Sequence, residues 1–396
     1  MIASLANGES TIKNGLYSSD TQATIEACKN FGAQIEKSDE KLIVNGIKQF
    51  KNNNSPIDAK NSGTTIRIAA AIASLSAEKT ILSGDESLIK RPMQPLLDAL
   101  ESIDAKCSSS NGTPPITVTG IAKGGEITIP GNISSQFITA LMIIAPRTEK
   151  GIKLTIEGDL VSKPYIDATI KMIEKFNVKV DQIIPYKQIQ ISPQVYNSTT
   201  ITIPTDYSSL ALLLSAAVLV GDELILEVTK ADLPQGDEKI IEFLEKLGVI
   251  FTFNDNTITL KTPERLQGGK FDLKNTPDLL PPLAILALKT SKPIELFNVK
   301  HARYKETDRI AILARELQKL GIKVQEKEDG LILESPDNVK GAELISESDH
   351  RLFMAFCIVG MYVGDCKVTN PESIEVSYPN FISDMNKVGG KIKSSL

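Results

Sequence analysis

The sequence predicts an α/β fold of two similar domains, each built from three units that combine one buried helix, one half-exposed helix and several strands. Three observations carry that expectation. The chain has 396 residues, more than one hydrophobic core usually serves, so two domains are the natural division. Six segments repeat one form at nearly even spacing. Five helices of a second kind, apolar on almost every side, alternate with them.

In chain order the six repeating segments are IEACKNFGAQI, LLDALESIDAKC, IKMIEKFNVKV, IEFLEKLGVIF, LARELQKLGIKV and FISDMNKVGGKI. Each reads as an amphipathic helix, a turn residue and a short strand. The turn residues are Gly32, Asp104, Asn177, Gly248, Gly321 and Gly389, all types that tolerate the left-handed backbone at a helix C-terminus. They lie 72, 73, 71, 73 and 68 residues apart. The alternating segments are NSGTTIRIAAAIASL, SSQFITALMIIAP, DYSSLALLLSAAVLV, PDLLPPLAILAL and SDHRLFMAFCIVG. They open on small or polar residues and then turn nearly all apolar, the pattern of a helix buried on all sides. After each comes a polar break and a strand: KTILSG, GIKLTIEG, ELILEV, KPIELFN and CKVTNP. The fourth unit begins within TIPTDYSS, residues 202–209, which divides the chain into domains of residues 1–203 and 204–396. Pro204 is expected to mark a hinge, and a cleft between two such domains is a favoured place for a small-molecule site.

An apolar fraction of 41% and a charged fraction of 23% suit a soluble globular protein. The net charge of -5, with no block rich in Lys or Arg, argues against a nucleic-acid surface. Cys28, Cys107, Cys357 and Cys366 are too far apart for a Cys-x-x-Cys metal or redox motif. The N-terminal MIASLANGES lacks the basic leader of a signal peptide. The longest apolar run, LALLLSAAVLV, is too short to span a bilayer. A cytoplasmic location with reduced cysteines is expected, no membrane partner, a monomer, and a small molecule as the binding partner.

The chemistry collects at the openings of the helices. In HARYKETDRIAILARELQKLG, residues 301–321, Ile310, Leu313, Leu317 and Leu320 share one helix face. Arg303, Lys305, Glu306, Asp308 and Arg309 crowd its start. A helix start already carries unpaired N–H groups and partial positive charge. Added cations there call for an anionic ligand. NSGTTIR puts Asn61, Gly63 and Thr64 at another helix start with Arg67 one turn in, which suits either an anion loop or a plain capping loop. GNISSQF supplies Ser134, Ser135 and Gln136 with the same two readings. IKRPM places Arg91 just before a proline. Asp278, ahead of a buried helix, suits a cap. His301 and His350 both sit beside Arg-bearing helix starts, and Arg351 edges the second. Lys305 and Arg309, four apart, read as one helix face with Glu306 beside them. Neither a Walker loop, nor a Gly-x-Gly-x-x-Gly fingerprint, nor a Gly-x-Ser-x-Gly elbow occurs.

Taken together, NSGTTIR, IKRPM, SSQF, GDLVSKPYID, TPD, YKETDR, DHR and SYPNF stand in an order that closely resembles the EPSP synthase family, 3-phosphoshikimate 1-carboxyvinyltransferases, over nearly the whole chain. The resemblance implies two domains each of three βαβαββ units. It implies that shikimate 3-phosphate and phosphoenolpyruvate bind between them, that the enolpyruvyl group moves to the 5-hydroxyl with loss of phosphate, and that no metal or organic cofactor takes part. Ser134, Ser135, Ser162 and Lys305 would hold shikimate 3-phosphate, with Gln136 lying between the ligands and Tyr165 flanking them. Gly63, Arg91, Arg309 and Arg351 would hold phosphoenolpyruvate, supported by Asn61 and Thr64. Asp278 would accept the hydroxyl proton, and Glu306 would take part in protonating the methylene. Domain closure would exclude competing water.

Two positions depart from the family. Val376 stands where a Lys commonly precedes the Ser/Thr-Tyr/Phe-Pro motif, and His301 where Asn is frequent. The related UDP-N-acetylglucosamine enolpyruvyltransferases usually carry a reactive loop cysteine, for which Cys107 is the loop-like candidate, without a neighbouring Arg. A non-catalytic homologue that binds an anion or a partner protein is the alternative from another class. The buried-helix openings at Asn61, Ser134, Asp206, Asp278 and Asp349 are 73, 72, 72 and 71 residues apart. The same step back from Asn61 falls before Met1, so a first unit truncated at the N-terminus is expected, lacking about 25 residues on the family's pattern. By resemblance those would carry a Lys, a Ser and an Arg that touch both substrates.

Overall fold

All six predicted turn residues adopt the left-handed backbone, from Asn177 at φ 60° to Gly32 at φ 113°. Each therefore ends its helix where the spacing expected. The computed structural model of the protein describes residues 1–38, 41–51, 55–221, 223–335 and 337–394. The chain divides into two units, the first Met1–Ile203 with Ala231–Pro234, the second Pro204–Lys230 with Gln235–Leu396.

Unit 1 runs α1 (Ile2–Leu5), β1 (Glu9–Lys13), α2 (Ser19–Phe31), β2 (Gln34–Lys37), β3 (Lys41–Asn45), β4 (Ile57–Asp58), α3 (Gly63–Ala73), β5 (Thr80–Ser83), α4 (Gln94–Glu101), β6 (Lys106–Ser110), β7 (Thr113–Thr119), β8 (Gly125–Pro130), α5 (Ser135–Ile144), β9 (Ile152–Glu157), α6 (Lys163–Lys175), β10 (Asp181–Ile184), β11 (Gln188–Ile191) and β12 (Thr200–Thr202). Three four-stranded sheets share one plan: β12-β1-β3-β2, β4-β5-β7-β6 and β8-β9-β11-β10. In each, the first two strands are parallel and the other neighbours antiparallel. Parallel neighbours need a crossover, and the buried helices supply it: α3 joins β4 to β5, and α5 joins β8 to β9. Ala69, Ala70, Ala71 and Ala73 of α3 are fully buried. Such small side chains let α3 lie close against α5, its main helical neighbour.

Unit 2 runs α7 (Tyr207–Val220), β13 (Glu223–Glu227), α8 (Lys239–Lys246), β14 (Ile250–Asn254), β15 (Thr257–Lys261), β16 (Gly269–Asp272), α9 (Leu280–Ala284), β17 (Ile294–Phe297), α10 (Arg309–Lys319), β18 (Lys323–Lys327), β19 (Gly330–Glu334), β20 (Glu343–Leu344), α11 (His350–Val363), β21 (Lys367–Val368) and α12 (Phe381–Lys387). The sheet β16-β17-β19-β18 repeats the plan of unit 1. The sheet β13-β15-β14 is antiparallel throughout, and among the described residues β13 pairs on one side only. The strand that precedes α7 in sequence, β12, belongs instead to unit 1 beside β1. The core of unit 2 gathers α7 and α11, with Leu212, Leu214, Phe356 and Ile358 fully buried. Each such side chain contributes about 1.5–3 kcal/mol. A largely apolar groove of about 980 Å³ lies along α7, α11 and β13, lined among others by Leu213, Leu224, Phe353 and Met361.

Two elements differ from expectation. The buried helix of PDLLPPLAILAL is three pieces, a 3-10 turn at Pro277–Leu279, the short α9, and a 3-10 stretch at Ile285–Lys289. Pro281 and Pro282 lack the N–H groups that a continuous helix needs. The sixth repeat has its helix and turn, but residues 390–394 form no strand; the sheet β20-β21 holds only one parallel pair. No helix among the described residues is long and apolar enough to cross a membrane.

Candidate active site

Unit 1 brings three helix starts together. Ser62 caps α3, its Oγ accepting from Thr65 N at 3.2 Å. Ser134 caps α5, its Oγ accepting from Gln136 N at 3.3 Å. The Gln136 side chain donates from Nε2 to Thr64 Oγ1 at 3.0 Å and accepts from Arg67 Nη1, which joins the starts of α3 and α5. Thr139 and Thr169 hydroxyls meet at 2.9 Å. Each lies within roughly two turns of its helix start, so α6 opens on the same side as α5. Ser162 precedes α6 in the left-handed conformation (φ 56°, ψ 41°) and is buried. That backbone is strained for a residue with a side chain, a condition that clusters at functional sites. Ser135 is buried and Tyr165 is 37% exposed.

Arg91 is placed by a relay rather than by its own helix. Asp85 Oδ1 accepts from the backbone N–H groups of Ser87 (3.0 Å) and Leu88 (2.8 Å). Its Oδ2 accepts from Asn61 Nδ2 at 2.8 Å, and Asn61 Oδ1 in turn accepts from Arg91 Nη2 at 2.9 Å. Ser87 Oγ takes a second Arg91 N–H at 3.1 Å. A Cβ on Gly63 would lie 2.7 Å from Arg67 Nη1 and 3.1 Å from Arg91 Nη1. Two guanidinium groups thus converge on a bare backbone at a helix N-terminus, an arrangement suited to an anion.

Unit 2 centres on Arg309, which is 1% exposed. Its Nη1 donates to Asp278 Oδ1 at 2.8 Å, its Nη2 to Glu306 Oε2 at 2.6 Å and its Nε to Asp349 Oδ2 at 2.7 Å. Lys305 Nζ stands 3.6 Å from Asp278 Oδ1, and Arg351 Nη2 stands 3.4 Å from Asp278 Oδ2. Burial alone would push the Asp278 carboxyl up, but Arg351, then Lys305 and Arg309, hold it well below the usual carboxylate range. Arg309 is raised despite its burial, through Asp349, Glu306 and Asp278. Burial pushes His301 and His350 down to about 4, with Lys305 adding to the effect at His301.

Several sequence readings are corrected here. Asp278 is not a cap: the 3-10 turn Pro277–Leu279 starts at Thr276 without a side-chain cap, and the carboxylate faces cations instead. Lys305 and Glu306 are not on the helix face of Arg309, because α10 begins at Arg309 with Asp308 as its cap. Arg303 does not join the cluster; Asp308 and Glu326 hold it at 2.8 Å each. Cys107 is on strand β6, not a loop. Burial, then Glu101 and Asp98, push its thiol up to about 12, the opposite of an activated nucleophile. Val376 ends a 3-10 turn at Pro371–Val376. Sequence reasoning missed Asp85 and Asp349. Asp349 was visible only as a helix opening, and it does cap α11, accepting from Arg351 N at 2.9 Å.

The family model described as EPSP synthase (3-phosphoshikimate 1-carboxyvinyltransferase) matches residues 1–385. A protein of Nitrosopumilus maritimus named 3-phosphoshikimate 1-carboxyvinyltransferase is 62% identical over 392 residues, covering 99% of this chain and 93% of its own. One of the same name from Methanosphaera stadtmanae is 39% identical over 395 residues, covering 98% and 92%. Among solved structures, EPSP synthase from Acinetobacter baumannii superposes with a TM-score of 0.83 at 25% identity, over 100% of this chain and 93% of that one. The enolpyruvyl transferase NikO from Streptomyces tendae shares the fold, with a TM-score of 0.76 at 16% identity and 99% and 92% coverage. With a family model spanning nearly the whole chain and relatives this similar, the chain belongs to the EPSP synthase (3-phosphoshikimate 1-carboxyvinyltransferase) family.

Proposed function

We propose that this protein transfers the enolpyruvyl group of phosphoenolpyruvate to the 5-hydroxyl of shikimate 3-phosphate, releasing phosphate. The observation that carries the reading is the Arg309 cluster, in which a buried carboxylate, Asp278, is held ionised by cations that an anionic substrate can engage. Anions that engage Lys305, Arg309 and Arg351 draw those charges away from Asp278. Its basicity then rises, which suits it to accept the 5-hydroxyl proton as the hydroxyl attacks. Glu306, already on Arg309, is assigned to protonation of the enolpyruvyl methylene. Arg309 and Arg351, with Arg91, oppose the charge on phosphoenolpyruvate and on the departing phosphate.

The remaining groups follow the chemistry of the substrates. Ser134, Ser135 and Ser162 offer hydroxyls at helix starts to the 3-phosphate, with Lys305 as its cation and Tyr165 beside the ring. Gln136, which already bridges Thr64 and Arg67, is assigned to both ligands. Asn61, Gly63 and Thr64 frame phosphoenolpyruvate, supported by the Asp85 relay to Arg91.

Phosphate release by the purified protein tests the reading. Release that requires both substrates is expected, with neither alone sufficient. Binding of shikimate 3-phosphate without any release would overturn the transferase reading in favour of a binding protein.

A further inference from the structure

A tyrosine stands where the backbone favours glycine, at the turn between β10 and β11. Lys187 N donates to Ile184 O at 3.0 Å across that turn, so Pro185 takes its second place and Tyr186 its third. Tyr186 has φ 57°. A positive φ at the third place of a β-turn usually falls to glycine or asparagine, and a bulkier residue held there is strained. Strain of this kind persists where the surroundings hold the residue in place, and it clusters at functional sites.

The side chain of Tyr186 reaches the start of α6. Its phenol donates to the Asp167 carboxylate, with Oδ1 at 2.9 Å and Oδ2 at 3.0 Å. Its ring lies against Lys163, whose Nζ is 5.2 Å from the centroid. Lys163 and Asp167 are four apart on α6, so one tyrosine spans a face of the first turns of the helix. Those turns follow Ser162 and carry Tyr165. The next residue holds the other end of the same loop. Lys187 Nζ donates to Gly158 O, and Lys187 O accepts from Ile156 N at 2.8 Å. On its far side the loop meets Gly131: Val161 N donates to Gly131 O at 3.1 Å, and Gly131 N to Glu157 O at 2.9 Å. A Cβ at Gly131 would lie 2.8 Å from Ile156 Cγ2 and 3.1 Å from Leu160 Cα. Residues 158–162 are therefore gripped between the segment that leads to Ser134 and the β10-β11 turn.

We propose that Tyr186 is a positioning residue for shikimate 3-phosphate: through Asp167 and Lys163 it fixes the first turns of α6, and so holds Ser162 and Tyr165 where that substrate meets them. This inference rests on the assignment of Ser162 and Tyr165 to shikimate 3-phosphate. A hydroxyl held in place before binding adds no ordering cost to it, whereas a loose one must be ordered at the expense of affinity. The bonds that place Arg91 run through Asn61 and Asp85 instead. Loss of the Tyr186 contact should accordingly fall on one substrate.

The experiment is steady-state kinetics with each substrate varied in turn, for the unmodified enzyme and for Tyr186→Phe, Asp167→Ala, the double variant of these two, and Ser162→Ala. Tyr186→Phe keeps the ring beside Lys163 and loses only the hydroxyl. It is expected to raise KM for shikimate 3-phosphate about fivefold, with kcat and KM for phosphoenolpyruvate each changed less than about twofold. Asp167→Ala is expected to do the same, and the double variant no more than either single one, because all three remove one bond. Ser162→Ala is expected to raise the same KM. An unchanged KM for shikimate 3-phosphate in Tyr186→Phe, with that of Ser162→Ala raised, overturns the role of Tyr186 alone. Equal rises in both KM values, or additive effects in the double variant, overturn it too. An unchanged KM in Ser162→Ala overturns the substrate assignment itself. If Asp167→Ala does not fold, Tyr186→Phe decides.

Discussion

A methyl group at Gly63 would press on Arg67 Nη1 at 2.7 Å and sit 3.1 Å from Arg91 Nη1. The guanidinium groups are the ends of flexible side chains, so Gly63→Ala should fold while displacing both cations from the proposed anion site. Its KM for phosphoenolpyruvate is expected to rise about tenfold, equivalent to ~1.4 kcal/mol, with KM for shikimate 3-phosphate changed far less. Steady-state kinetics varying each substrate in turn would show it, and equal changes in both would contradict the assignment. Gly63 is a candidate in the sequence because a glycine and small hydroxyl residues at a helix start suit an anion loop, though equally a plain capping loop, and only the family resemblance gives it a ligand. Asp85 and Asp349 could not be read so. Asp85 acts through Asn61, 24 positions away, and Asp349 meets Arg309 from 40 positions away. Isolated acids in a sequence look like solvated surface or caps until the fold supplies their partners.

The helix α10 shows how far periodicity carries at the level of an element. Ile310, Leu313, Leu317 and Leu320 are all fully buried, as their spacing required. The same periodicity extended the helix too far back. Lys305 and Glu306 precede it, because Asp308 turns its side chain to accept from Ala311 N at 3.0 Å and starts the helix there. Asp308 also holds Arg303 Nη1 through both oxygens, at 3.0 and 2.8 Å. Asp308→Ala is therefore expected to destabilise unit 2 by about 1 kcal/mol, within the roughly 0.5–2 kcal/mol of a lost N-cap. Asp308→Asn, which keeps an acceptor, should lose less. Urea unfolding followed by circular dichroism measures both, and equal losses would mean that the cap is not what Asp308 supplies. In the fifth unit the periodic pattern was right about burial and wrong about continuity, since hydrophobicity reports which face is covered but not where prolines break the ladder.

Across the whole molecule, the buried residues form two hydrophobic clusters with no shared member, one drawn from Ile2 to Tyr196 and the other from Leu210 to Met385. Calorimetry of the free protein should accordingly resolve two unfolding transitions rather than one. A single transition with equal calorimetric and van't Hoff enthalpies would show that the clusters melt together. The repeat made the three-sheet plan of unit 1 legible, because helix periods and turn residues recur at a fixed step. It did not show that β12 pairs within unit 1 while α7, next in the chain, packs in unit 2; pairing is a long-range choice that no local pattern encodes. The ladder of β13, one-sided among the described residues, has a colloidal consequence. Its outward backbone groups form a ready template for extended chain, and Ile225 beside them is 65% exposed. Glu223 and Glu227 at its two ends should oppose the approach of a second copy, Glu223 partly offset by Lys261 Nζ at 3.9 Å. Salt screens such repulsion within about 8 Å at physiological strength and within about 3 Å at 1 M. Concentrated solutions should therefore grow turbid as salt is added, polymerising edge to edge, and remain clear when dilute and low in salt.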